Sequence, residues 1–571
     1  MRFEIAKRDG LARVGELEID GTTHSTPAIA FVDSWKHSAP DNGLKLRQAG
    51  LAKEGDLSVA PSAFTLRADT DDAHLRAGYR GSPYAESVPN GPIASLGSIS
   101  ELMLDSRAFA DAVDALKAGQ ALLRPTFCPV AGLPNRLALL AYCGMDIFDS
   151  IPLIMAAESG VYLTSTGGLH RDSIDEPPCS CPACSRGVEG KEALFEHNAS
   201  AAATELKLVR HHIAQGSLRE LVEARIRSES WQVQVLRHLD LDHHRTQEMH
   251  APVRGAPFSA NSKESLHRPD VERWRSRLRD RYERPPHAKI LLLIPCSAKK
   301  PYSASPSHRR FREAVRNSGA RSLVHEVVVT SPLGLVPREL ELFYPAKDYD
   351  IPVTGHWDRD ECAMVAEMVR WLVDSQGYDA IVSHLGSERD IVNPVINGCM
   401  DTSDGNPGSK PCLSKLEETL RELAVDADTV DGSERARQDI MSIARFQFGE
   451  GGTVGFADVE AKGRWPVVRI LKDGVQLGAL SYPRGMISLT IEGAEAISGS
   501  DSYCVEIDDF APKGNLFAVG VEDATDDVRI GDDVVVRHRK DVRAVGVARM
   551  CAAEMRIAQR GEAVHIRHLA R

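Results

Sequence analysis

Three cysteines fall within six residues, Cys179-Ser-Cys181-Pro-Ala-Cys184. On so tight a turn three thiolates can take three corners of a tetrahedron around a Zn²⁺ ion. A fourth ligand is needed. His197, thirteen residues after Cys184, is the nearest downstream imidazole, while His211 and His212 compete from inside a long helical pattern. The chain has 11 cysteines, an odd number, and this clustering points to metal or catalysis before disulfides.

A second concentration of reactive side chains runs PCSAKKPYSASPSH from Pro295 to His308, followed by TSPLGLVPRELELFYPAKDYDIPVTGHW from Thr330 to Trp357. Each stretch follows an aliphatic run of the kind that forms a strand buried on both faces. In an open parallel sheet, ligands bind in the crevice beyond the carboxyl ends of the strands. Cys296, Ser297, Lys300, Tyr302, Ser305, His308, Arg338 and Glu339 can therefore converge there. The competing reading is an ordinary structured loop with surface lysines and Ser305 as a helix cap.

At 571 residues the chain is too long for one hydrophobic core. Residues 1–245 end in a helical run, and 246–286 are polar and Pro-containing, which reads as a linker. Strand and helix patterns alternate over 287–412, implying a parallel α/β domain that closes in the turn-rich DTSDGNPGSKP, Asp401 to Pro411, which reads as a second linker. Residues 413–497 read as a small α+β domain, and 498–571 as a β-barrel of short strands, separable from the rest. The net charge of -12 excludes a uniformly basic nucleic-acid coat, so RNA binding needs local patches. Acidic segments at Asp69, Asp71 and Asp72 read as solvated surface. No apolar run approaches the ~18–20 residues that span a bilayer, and the first residues lack a signal peptide's apolar core. A cytoplasmic protein without membrane contact is expected.

The run CSCPAC followed by HN at 197–198, together with GLARVGELEIDGTTHSTPAIAF and LPNRLALLAYCGMDIFDS, resembles the tRNA-guanine transglycosylase superfamily. The resemblance implies an eroded (β/α)8-type domain with His197 as fourth zinc ligand, and it matches Asp149 to the nucleophile that displaces guanine. The loops that hold guanine are missing or poorly echoed in LDSRAFA around Asp105, so Asp149 reads as inherited structure or a substrate contact, in place of a nucleophile.

The two central motifs, in this order, are similar to those of the archaeosine synthase family, which joins such a degenerate domain to a central α/β insert. The implied reaction adds an amine, that of free L-lysine, to the nitrile of 7-cyano-7-deazaguanine in tRNA, and a separate radical enzyme then releases archaeosine. On this implication Cys296 is the nucleophile, its pKa lowered by Lys299, Lys300 or His308, and His308 moves protons. Ser297, Tyr302 and Ser305 line the substrate site; Arg338 and Glu339 hold the carboxylate and α-amino group of lysine. The last residues resemble a PUA domain, with Lys513 and Arg529 as RNA contacts and Arg567 as a further basic candidate. A homodimer is admitted. The rival functions are a transglycosylase that exchanges the base and a non-catalytic tRNA-binding partner.

Overall fold

The computed structural model describes residues 1–33, 38–41, 43–48, 57–59, 93–96, 102–253, 257–352, 356–425, 427–482 and 484–570. The acidic run at Asp69, Asp71 and Asp72 lies outside the described residues. The chain forms two compact units, Met1–Ala251 with Ile557–Gly561, and Pro252–Arg556 with Glu562–Arg571.

The first unit opens with an antiparallel meander, β1 (Arg2–Asp9), β2 (Ala12–Ile19) and β3 (Thr22–Thr26). Six short strands follow: β4 (Ala28–Val32), β5 (Leu44–Gln48), β6 (Leu57–Val59), β7 (Ala94–Ser95), β8 (Thr126–Cys128) and β9 (Ile147–Asp149). They pair in parallel in the order β6-β5-β4-β9-β8-β7. Every residue of β8 and β9 is buried, as helices on both faces of a parallel sheet require. Among the described residues this sheet has six strands, the parallel α/β layer of an eroded transglycosylase-like domain. Arg13, almost fully buried, grips Asp146 with Nε and Nη2 at 2.9 and 2.7 Å, tying the meander to the turn before β9. A hairpin, β10 (Val161–Thr164) and β11 (Gly167–His170), then packs on the helix Gly190–Gln215, which ends at the left-handed Gly216.

The second unit carries the central sheet. Strand β12 (Phe258–Ser259) lies beside a later strand, and then come β13 (Ile290–Pro295), β14 (Val324–Thr330), β15 (Gly334–Pro337), β16 (Tyr349–Asp350), β17 (Ala380–Ser383) and β18 (Met400–Asp401). The sheet order is β15-β14-β13-β17-β18, parallel except for β15. The aliphatic run at Ile290–Ile294 is fully buried at its centre, with helix Pro306–Asn317 on one side and its cap at Ser305. The loop expected through residue 357 instead contains β15, turned back on β14. There Gly334, at φ +78, lets Met364 and Met368 of helix Arg359–Gln376 lie where a Cβ would stand.

Two expected linkers are structured. Residues 246–286 include helix Pro269–Arg281, whose Val271, Trp274 and Leu278 are buried. Trp274 Nε1 donates to the Leu335 carbonyl at 3.0 Å and its ring meets Phe446 edge-on at 5.2 Å. The charged sequence before ERPPH does mark a short helix, but its three apolar residues at helical spacing anchor it in the core, so it is no linker. The turn-rich 401–411 segment ends in helix Lys410–Leu423, which buries Leu416 and Leu420 against the same sheet domain.

After helix Gly432–Phe448, β19 (Glu460–Arg464), β20 (Val467–Lys472), β21 (Val475–Leu480) and β22 (Ile487–Leu489) make an antiparallel sheet. The terminal sheet comprises β23 (Cys504–Ile507), β24 (Leu516–Phe517), β25 (Val521–Ala524), β26 (Asp533–His538), β27 (Asp541–Ala548) and β28 (Glu562–Leu569), in the order β24-β28-β27-β26-β23-β25. One apolar cluster runs from Val253 through Trp274, Leu292 and Phe446 to Val535 and Val545, so all these layers share a core. Among the described residues no helix is long and apolar enough to cross a membrane.

Candidate active site and metal site

Helix Gly190–Gln215 presents His197 and Asn198, both buried, to β10. Asn198 accepts from Leu163 N at 2.9 Å and donates to the Val161 carbonyl at 3.0 Å. His197 Nε2 donates to the Leu163 carbonyl at 2.9 Å, which fixes the tautomer and leaves the Nδ1 lone pair toward Cys184 Sγ at 3.3 Å and Cys181 Sγ at 3.6 Å. Tyr162 stacks on the imidazole with centroids 3.6 Å apart, and its hydroxyl lies 3.2 Å from Cys184 Sγ. The three sulfurs and the ring nitrogen all lie within 4.8 Å of one another, a Cys3His set that can hold a metal ion. The competing His212, about four turns further along the helix, is engaged with Ser217 at 2.9 Å.

Asp149, at the carboxyl end of β9, is fully buried and accepts from Val130 N at 2.6 Å and Ile151 N at 2.8 Å. Burial raises its pKa to about 6 against the pull of those two amides. A carboxylate so sealed, each oxygen taking a backbone amide, closes the turn, and its burial favours a structural role for this residue.

In the central sheet Cys296 directly follows β13, Thr330 ends β14, and the loop after β17 carries Glu388, so the crevice forms at the strands' carboxyl ends. Thr330 Oγ1 and Tyr349 Oη are 2.6 Å apart, and Tyr349 meets the hydroxyl of the buried Tyr302. Lys300 Nζ lies 4.0 Å above the Tyr349 ring, buried and with no hydrogen-bond partner among the described residues. Burial lowers the Lys300 pKa, while Cys296 and Asp350 pull the other way.

The expected lowering of the Cys296 pKa is reversed. Burial raises it, Glu388 adds to the rise, and the hydrogen bond to Thr330 and the Lys300 charge offset only part. The thiol stays protonated at rest.

Several residues expected at this crevice are held elsewhere. His308 is sealed, stacked on Tyr302 at 5.2 Å, and takes a hydrogen bond on Nδ1 from Arg338 Nη2 at 2.8 Å. Burial first, and Arg338 second, keep it neutral. Ser305, expected to bind substrate, accepts from His308 N at 3.2 Å as the helix cap. Ser297 Oγ donates to the Lys299 carbonyl at 3.0 Å within the turn. Arg338 is spent on Glu326 and Glu341 at 2.8 and 2.9 Å, and Glu339 bonds the buried Tyr282 next to His325. Neither of the last two is free to hold an amino acid's termini. Residues missed from sequence, Thr330, Tyr349, Asp350 and Glu388, lay in or after the quoted loops; for Thr330 and Glu388 their position at or after the carboxyl end of a parallel strand was the available signal. Beside this crevice, beyond Ser331 and Ile351, a cavity of about 210 Å³ is walled by Trp357 and Pro352.

In the terminal sheet Lys513 is exposed, whereas Arg529 donates from Nη1 to the Asp526 and Val528 carbonyls of its own turn. Arg567 is bound to the buried Asp533, which also meets Arg484 at 2.7 Å.

Residues 85–230 match the family described as queuine tRNA-ribosyltransferase, 271–420 a domain of unknown function, and 504–570 the PUA domain. The chain is 38% identical over 466 residues to the archaeosine synthase subunit alpha of Methanosarcina acetivorans, covering 78% of this chain and 74% of the relative. It is 34% identical to the archaeosine synthase of Haloferax volcanii over 99% of both chains. The tRNA-guanine(15) transglycosylase of Methanothermobacter thermautotrophicus is 28% identical, over 83% of this chain and 70% of the relative. With near full-length likeness of that kind, a transglycosylase-like unit bearing a Cys3His group, a central cysteine crevice and a PUA domain, the chain belongs to the archaeosine synthase family.

Proposed function

We propose that this protein adds the side-chain amine of free L-lysine to the nitrile of 7-cyano-7-deazaguanine in tRNA, forming an amidine, and that a separate radical enzyme then releases archaeosine. The observation that carries the chemistry is the pairing of Cys296 with the unpartnered Lys300 amine at the carboxyl ends of the sheet. A nitrile is a poor electrophile, and a buried thiol is a poor nucleophile until it loses its proton. Lys300, its pKa depressed, takes that proton. The thiolate adds to the nitrile carbon, a C–S bond replaces one C–N π bond, and Lys300 returns the proton to nitrogen. The lysine amine then adds to the thioimidate carbon, the C–S bond breaks, and Cys296 leaves as thiolate, recovering a proton from the incoming nitrogen through Lys300. Nitrile and amine sum to amidine, with nothing else consumed. The cavity beside Ser331 suits the chain of the donor amino acid.

The Cys3His group suits a structural Zn²⁺, since all four protein ligands leave no open position. The PUA domain supports tRNA as partner. Base exchange by Asp149 is disfavoured by its burial.

The test incubates tRNA bearing the nitrile base with isotopically labelled lysine and reads the tRNA by mass spectrometry. Wild type should incorporate label, and Cys296→Ser should fold and bind tRNA yet lose nearly all transfer. Wild-type turnover by the serine variant would remove Cys296 as nucleophile.

A further inference from the structure

A cavity of about 510 Å³ lies away from the Cys296 crevice, at the opening end of β14, where the central sheet meets β19, β20 and helix Gly432–Phe448. Five guanidinium groups line it. Two are spent: Arg338 on Glu326 and Glu341, and Arg435 on Asp439 at 2.8 Å and on the Ser322 and Val324 carbonyls. Arg312, Arg321 and Arg464 are exposed at the rim and form no salt bridge or side-chain hydrogen bond among the described residues. Trp465, half-buried on the β19–β20 turn, supplies an aromatic wall. With five arginines against Glu326, Glu341 and Asp439, the lining carries a surplus of positive charge in a chain of net charge -12.

We infer that this cavity binds one unstacked nucleotide of an RNA strand, its base against Trp465 and its phosphates on Arg312, Arg321 and Arg464. Guanidinium forks match phosphate oxygens, and a base stacked on an aromatic ring is the sequence-tolerant contact that holds single-stranded RNA. The rim arginines stay solvated, so they cost little to leave unpaired and act as a salt-sensitive grip on a polyanion. The size suits a nucleotide, and an open mouth lets a strand enter and leave. The inference rests on the reading that tRNA is the substrate, and it adds a second grip on that RNA remote from the reacting base.

The test measures binding of a tRNA transcript by the full chain at several salt concentrations. Arg312→Glu with Arg321→Glu, both at exposed positions, should weaken binding about tenfold or more and flatten the log–log salt dependence by about two phosphate contacts. Lys410→Glu with Lys415→Glu, the same change in net charge on another surface helix, should not. Ultraviolet cross-linking of bound tRNA should map to the peptide holding Trp465 and disappear in Trp465→Ala. Equal affinity of the rim variant and wild type, or equal loss in the control, overturns the inference, as does a cross-link that maps away from Trp465. If wild type itself binds no tRNA, the proposed function fails first and separately.

Discussion

Lys300 and Lys117 illustrate the same physics put to different ends. Lys300 sits over Tyr349 without a hydrogen-bonding partner among the described residues. Lys117, fully buried, donates to Thr126 Oγ1 and the Gly144 carbonyl at 2.7 Å each, and burial brings its pKa down to about 7. On the proposed mechanism, removal of the Lys300 amine strips Cys296 of its proton acceptor. Lys300→Met should therefore cut kcat by ~100-fold or more with tRNA affinity kept, and abolish the rise in rate with pH that deprotonation of the pair gives wild type. An unchanged pH profile would assign the proton to another group. For Lys117 the folded value lies below the 10.5 of a free lysine, so between about 7 and 10.5 the folded state binds fewer protons than the unfolded one. Its contribution to stability is present above that window and is lost as pH falls through it. The melting temperature of wild type minus that of Lys117→Met should accordingly grow from pH 7 to pH 9.5; parallel curves would mean that the lysine stays charged. Residue type was legible in the sequence at these positions, and direction was not. PCSAKKPY announced a thiol beside amines, but whether His308 or Arg338 faced the crevice depended on how Tyr302 and Glu341 fold back on them and on Glu326, which reaches Arg338 from strand β14.

At the level of elements, spacing was informative wherever one segment supplies the whole signal. The buried strand before Cys296, the capped helix after Ser305 and the cysteine turn with His197 are all local patterns. The cavity at Arg312, Arg464 and Trp465 draws on segments over 150 positions apart, so no window of sequence contains it. Helix Gly190–Gln215 binds the hairpin β10–β11 through His197 and Asn198, and the cysteine turn closes on the same face. Replacing one ligand, as in Cys181→Ser, should bring zinc below about half an equivalent by elemental analysis and lower the melting temperature of this unit. Full zinc content in that variant would show that Cys181 is not a ligand.

For the second unit as a whole, the barrel expected to be separable shares its apolar core with the central domain. Asp533 of β26 is buried between Arg484 and Arg567 and accepts from Leu489 N at 3.0 Å, while Val535 and Val545 belong to the cluster that holds Trp274 and Phe446. Deleting residues 498–571 would expose that cluster and leave Arg484 without its carboxylate. The truncated chain should lose several degrees or more of melting temperature in the central domain as well as tRNA affinity. A truncated chain with wild-type lysine transfer at saturating tRNA would restore the separable barrel. Nothing in the sequence marked this, because Asp533 looks like one more surface acid until its two arginines, 49 and 34 positions away, are brought to it. The common core also constrains inheritance. Shuffling pieces between relatives with breakpoints anywhere from Val253 to Val545 would join half-cores that never coevolved. Exchange at the boundary near Ala251 leaves that core whole, so the amide protons of β13 and β26 should exchange with solvent in a single slow phase, released together when the unit opens.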